Sequence, residues 1–136
     1  MKKISLMLIF CIILSFGTSM VASAEEYAVI PRYNNVMYAI CNFEIVNNEA
    51  IATVSIDGLS GVIYNTSVNV KLEKRALLGL IWNDVEEWTA TSYDSFVCFE
   101  FKKAVGSGTY RCTFEITVEG SGGSADVITE EIKVKN

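Results

Sequence analysis

Histidine is absent from this chain of 136 residues. Its absence removes the commonest general base near neutral pH, the usual nucleophile–histidine triads and most zinc sites. Cations are scarce as well, with 11 Lys and Arg against 16 Asp and Glu. That balance disfavours nucleic acid or anionic lipid as a general partner, although it leaves room for a local contact. Proline occurs once, helical spacing of apolar residues is hard to find, and only one long apolar run is present.

That run lies at the front. Lys2 and Lys3 precede an almost wholly apolar stretch from Ile4 to Phe16, and Ala22-Ser23-Ala24 then offers the small residues a signal peptidase reads. Residues 1–24 are therefore expected to be a signal peptide, cut after Ala24. The apolar core falls short of the roughly 20 residues a bilayer span needs, and the bulk of Phe10 before Cys11 argues against a lipoprotein site. Release without a transmembrane anchor is expected, placing residues 25–136 outside the cell as one domain. Losing Lys2 and Lys3 takes the formal charge from −5 to −7.

The remainder alternates with period two between Gly, Asn and Asp punctuation. Val68, Val70 and Leu72 share one face of a strand, as do Tyr110, Cys112, Phe114, Ile116 and Val118 of another. Shorter patterns put Cys41, Phe43 and Ile45 inward, then Ala52, Val54 and Ile56 after an Asn47-Asn48 turn. Val97, Phe99 and Phe101 form a further inward set, followed by Ile128, Ile132 and Val134. With a strand from Ile81 to Ala90 the total is seven. The fold expected is all-β, two antiparallel sheets packed face to face.

Other motifs read as structure. Gly120 to Ser124 is glycine-rich, but no helix follows to make a phosphate cradle, so a flexible hairpin loop is expected. Asn83, Asp84, Glu86 and Glu87 lack the glycine-turned loop that gathers calcium ligands, and read as surface charge. Asn65-Thr66-Ser67, which fits a glycan acceptor, reads as a polar strand start. A glycosidase needs two convergent carboxylates about 5 to 9 Å apart. Most acids here alternate outward, so no enzymatic activity, cofactor or metal is expected, and a hydrolase is the weakest of the readings.

Cys41, Cys98 and Cys112 follow the leader. Parity puts Cys41 and Cys112 inward and Cys98 outward with Glu100 and Lys102. A Cys41–Cys112 disulfide would close a loop of about 70 residues, a constraint on the order of 4 kcal/mol in the chain-entropy model. The rival is Cys98–Cys112, across a hairpin turning near residues 104–107, and sequence alone does not fix the choice.

The segment "GSGTYRC", Gly106 to Cys112, resembles the start of the sixth strand of immunoglobulin-like domains, where a Tyr two residues before a Cys forms a tyrosine corner. The resemblance implies that Tyr110 hydrogen-bonds a turn upstream. Two departures set the chain apart from the antibody type: Ala52 stands where the second strand carries the partner Cys, and the third strand has no Trp. "PRYNN", "VNVKLEKR", Trp82 with Trp88, and "GTYRCTFEITVE" together resemble small secreted immunoglobulin-like β-sandwich proteins of Gram-positive bacteria. That family implies fold and secretion, without catalytic residues to transfer.

One stretch defies the pattern. Between Lys74-Arg75 and the next strand lie Leu77, Leu78, Leu80, Ile81 and Trp82, where a connection should be polar. Either the segment folds over the sandwich end or extends the strands, or it is an exposed patch that marks a partner. Trp82 and Trp88 share a parity opposite to Val85. A bulge that turns both Trp inward, or an exposed Trp pair, are the two ways to resolve this. The function expected is a secreted binding module for an extracellular protein or glycan, with Leu77, Leu78, Leu80, Ile81 and Trp82 as its contact. The alternative is a bacteriocin-like antagonist using the same loop on a target membrane.

Overall fold

Alternating apolar side chains give seven strands in the computed structural model, which describes residues 32–62 and 64–136. The expected signal peptide and its expected cleavage after Ala24 lie outside these residues. In chain order the strands are β1 Val36–Val46, β2 Glu49–Gly58, β3 Tyr64–Ala76, β4 Ile81–Ser92, β5 Phe96–Ala104, β6 Thr109–Gly120 and β7 Gly123–Lys135. They form a three-stranded sheet, β1-β2-β5, and a four-stranded sheet, β4-β3-β6-β7, with every pairing antiparallel.

Parity decides what lies between the sheets. Ala52, Val54 and Ile56 of β2, Val68, Val70 and Leu72 of β3, and Cys112, Phe114, Ile116 and Val118 of β6 are all buried. Phe43, Val97 and Tyr110 join them, while Phe99, Phe101, Ile128, Ile132 and Val134 pack partly buried around the rim. The edge between β4 and β5 is closed by Trp88 stacked on Phe101 at 5.6 Å between ring centroids. One row further along, Lys103 Nζ meets Glu86 Oε2 at 2.8 Å. The ion pair draws the Glu86 carboxyl below its usual range, chiefly through the hydrogen bond from Lys103.

Two connections differ from expectation. The glycine-rich segment is a two-residue turn, Ser121–Gly122, between paired Gly120 and Gly123, rather than a flexible loop. It is docked: Gly122 N donates to Asn35 Oδ1 at 3.0 Å, and a Cβ on Gly122 would collide with the Asn34 carbonyl. The segment after β5 is also no hairpin, because β5 and β6 belong to different sheets. Sequence adjacency suggested the pairing, but the chain crosses the end of the sandwich there.

The start of β1 is fixed by a group that alternation alone does not flag. Asp126, buried on β7, accepts the backbone N–H of Asn34 at 2.8 Å on Oδ1, and those of Asn35 at 2.7 Å and Val36 at 3.2 Å on Oδ2. Asn35 adds a bond from Nδ2 to the Ser124 carbonyl at 3.0 Å. One carboxylate thus ties the three-stranded sheet to the four-stranded one. Asp126→Ala strands these donors, each worth about 1–3 kcal/mol when buried and unpaired. Urea unfolding should show a loss of about 3 kcal/mol, with Asp126→Asn losing less because an acceptor remains.

Candidate functional site

The β3–β4 hairpin has a left-handed tip. Ala76 pairs with Ile81, and between them Leu77, Leu78 and Gly79 have φ of 47°, 55° and 88°. Leu80 N donates to Leu77 O at 3.1 Å, closing a turn with positive φ at both central residues, the geometry of a type I′ turn. Such turns favour Asn-Gly; a leucine at positive φ costs about 1–2 kcal/mol. The Leu78 side chain recovers nothing by packing, being 105% exposed, and Leu80 at 82% and Leu77 at 67% recover little. Ile81 is also exposed. The segment does not cover the sandwich end.

Trp82 and Trp88 part company. Leu72 pairs with Glu86 and Glu73 with Asp84, so Val85 is an extra residue in β4. This bulge inverts parity. Trp88 pairs with Val70 and turns inward onto the core, whereas Trp82 pairs with Arg75 on the outer face. Neither an inward pair nor an exposed pair is formed. The Trp82 ring is half-buried beneath cations: Arg111 Cζ lies 4.5 Å from its centroid, Lys133 Nζ 5.9 Å and Arg75 Cζ 6.0 Å. Each such contact contributes about 0.5–1 kcal/mol at an exposed site.

These cations are themselves held. Arg111 bonds Glu73 Oε2 through Nε at 2.8 Å and Nη2 at 2.7 Å. Lys133 meets Glu131 at 2.9 Å, and that hydrogen bond first of all lowers the Glu131 carboxyl below its ordinary range. Arg75 Nε donates to the Gly79 carbonyl at 3.3 Å, a close approach that a Cβ on Gly79 would block. The base of the hairpin is therefore a packed platform and the leucines project from it. Sequence reading missed Arg111 and Lys133 at Trp82; only the register of β6 and β7 against β3 brings them there.

The remaining candidates are dispersed. Asp84 pairs with Lys71 at 2.9 Å, Glu86 with Lys103, and Glu87 accepts from Asn69 Nδ2 at 3.1 Å, so these acids engage different partners. Among the described residues no three His, Cys, Asp or Glu side chains gather to hold a metal ion. Tyr110 Oη donates to the Gly106 carbonyl at 2.8 Å, four residues upstream, as the tyrosine-corner resemblance implies.

Among the described residues the three cysteines, Cys41, Cys98 and Cys112, are free thiols, and the expected Cys41–Cys112 bridge is not present in this structure. Burial, then the charge of Glu130 and a hydrogen bond to it, push the Cys41 thiol up to about 12. Burial, then the charge on Cys41, does the same for Cys112, so both thiols are neutral groups. A protonated thiol is a poor nucleophile. The rival Cys98–Cys112 pairing is separated by the sandwich itself: Cys98 is exposed on the outer face of β5 and Cys112 is buried on β6.

The chain matches no known family model, and no curated protein matches it.

Two measurements follow from this geometry. Leu78→Asn relieves the strain without removing a contact and should raise stability by about 1 kcal/mol in chemical denaturation. In reduced protein, the Cys41 and Cys112 thiols ionise near 9.0 once unfolded but near 12 when folded. The unfolded chain then holds fewer protons over that window, so the unfolding midpoint should drop as pH rises from about 9 towards 12 and stay flat with respect to these groups below it.

Proposed function

We propose that the protein is a secreted, non-enzymatic binding module whose contact surface is the tip formed by Leu77, Leu78 and Leu80 with Ile81 beside it. Trp82 serves this surface by holding the hairpin base instead of touching the partner. The observation that carries the reading is that Leu78 combines a positive φ with full exposure, while Leu77 at positive φ and Leu80 beside it are also mostly exposed. Folding gains little from them there, and an outlier that stability opposes points to a role outside the fold. The leader at residues 1–24 supports an extracellular site of action.

An immunoglobulin-like sandwich is the scaffold in this proposal. Its support is the division β1-β2-β5 against β3-β6-β7, together with the Tyr110 bond at the β5–β6 crossing. The arrangement departs from the constant-type immunoglobulin pattern in β4, which pairs with β3 rather than joining the three-stranded sheet. Loops at one end of such a sandwich are free to vary without disturbing the core.

The test is retention of cell-surface and extracellular fractions on immobilised mature chain, compared with Leu77→Ser/Leu80→Ser. The variant should retain about a tenth or less of what the native chain retains, at an unchanged or higher melting temperature. Equal retention by both chains would refute the assignment of the tip.

A further inference from the structure

The tip end of the molecule reverses the charge of the whole. Lys74, Arg75, Arg111, Lys133 and Lys135 stand in the register rows beside the tip. Against these five cations stand three acids, Glu73 and Asp84 in the same rows and Glu131 beside them, which meets Lys133 at 2.9 Å and Arg111 at 3.6 Å, so the collar keeps a small net positive charge. At the far end lie Asp57, Asp94, Glu119 and Asp126, with Arg32 the one described cation near them. β3 is 13 residues long, which is about 40 Å at roughly 3.3 Å per residue. Charges more than about 8 Å apart are largely screened at physiological ionic strength. A surface approaching the tip therefore meets the cations and not the distant acids.

We infer that the tip docks on the anionic surface of a lipid bilayer. Leu77, Leu78 and Leu80 enter the boundary between headgroups and acyl chains, and the basic rows behind them face the lipid phosphates. This rests on the tip being the contact surface of the module. The shape favours a bilayer because the apolar group is convex and projecting, and needs a soft apolar medium rather than a matching pocket. A sugar ring would require an open aromatic face, but Arg111 already lies over Trp82 at 4.5 Å. A second copy meeting tip to tip would press two basic collars together.

Flotation of the purified mature chain with protein-free vesicles provides the test. The probes are phosphatidylcholine alone and phosphatidylcholine mixed with phosphatidylglycerol. The native chain should float with the mixed vesicles, weakly or not at all with phosphatidylcholine alone, and less as salt is raised. Leu78→Asp, which alters a side chain in open solvent and leaves the fold intact by circular dichroism, should lower binding about tenfold or more. Lys135→Gln should lower it about fivefold. Equal flotation of Leu78→Asp and native chain, or no flotation with anionic vesicles, would overturn the inference. If vesicles fail while surface fractions are still retained through the leucines, the lipid assignment falls and the contact surface stands. Tip-dependent dimers in sedimentation would assign the surface to a second copy; loss of both vesicle and surface-fraction binding would remove both proposals.

Discussion

The dry layer between the sheets governs everything else in this molecule. Val54, Val68, Val70, Leu72, Phe114 and Ile116 are each fully buried there, and they come from β2, β3 and β6, the inner strands of the two sheets. A strand that slipped by one residue would send its whole apolar set to water, so burial fixes register. Register in turn fixes which outward side chains become neighbours. Trp82 meets Arg75 by direct pairing, and Arg111 and Lys133 reach it through β6 and β7. The platform under the tip is thus a consequence of core packing on the opposite face of the same sheet.

A single extra residue alters that logic in β4. Without the bulge at Val85, Trp82 and Trp88 would lie on the same face, and the stack of Trp88 on Phe101 would send Trp82 into the core with it. With the bulge, one tryptophan closes the edge between the sheets and the other lies outside, where only cations cover it. The bulge also lets Glu86 reach Lys103 while Asp84 reaches Lys71, so two acids close together in sequence serve opposite faces. β-Bulges commonly re-aim side chains in this way.

What could be read from the sequence was what is local. Period-two alternation gave the inward faces of all the strands outside the bulge, and Asn47-Asn48 gave a turn in which both residues have positive φ. What could not be read was what depends on distant partners. Asp126 lies about ninety positions from the amides it accepts, and nothing near it in sequence signals that role. The crossing from β5 to β6 looks like a hairpin until the sheets are assembled, which made Cys98 and Cys112 look like neighbours. The exposure of the leucine tip was one of two open readings, because apolar residues at a turn also fit a plug or a strand extension until the turn's backbone is known.

The two turns with positive φ make a comparison within one chain. At Asn47 and Asn48, φ is 50° and 61°, and asparagine tolerates this region because its short polar side chain bonds locally. At Leu77 and Leu78 the backbone has almost the same φ, but the side chains resist it, Leu78 meeting only solvent and Leu77 mostly solvent. If turn formation alone set the sequence, the second turn would resemble the first. Gly79 meets the turn's needs directly, since it takes the remaining left-handed position and makes room for Arg75. In the proposed reading, Leu77 and Leu78 are the positions at which a demand from outside the fold outweighs about 1–2 kcal/mol of backbone preference per residue. On that proposal the demand is for apolar surface at the furthest point of the hairpin, and a partner that buried it would restore what the isolated chain forgoes.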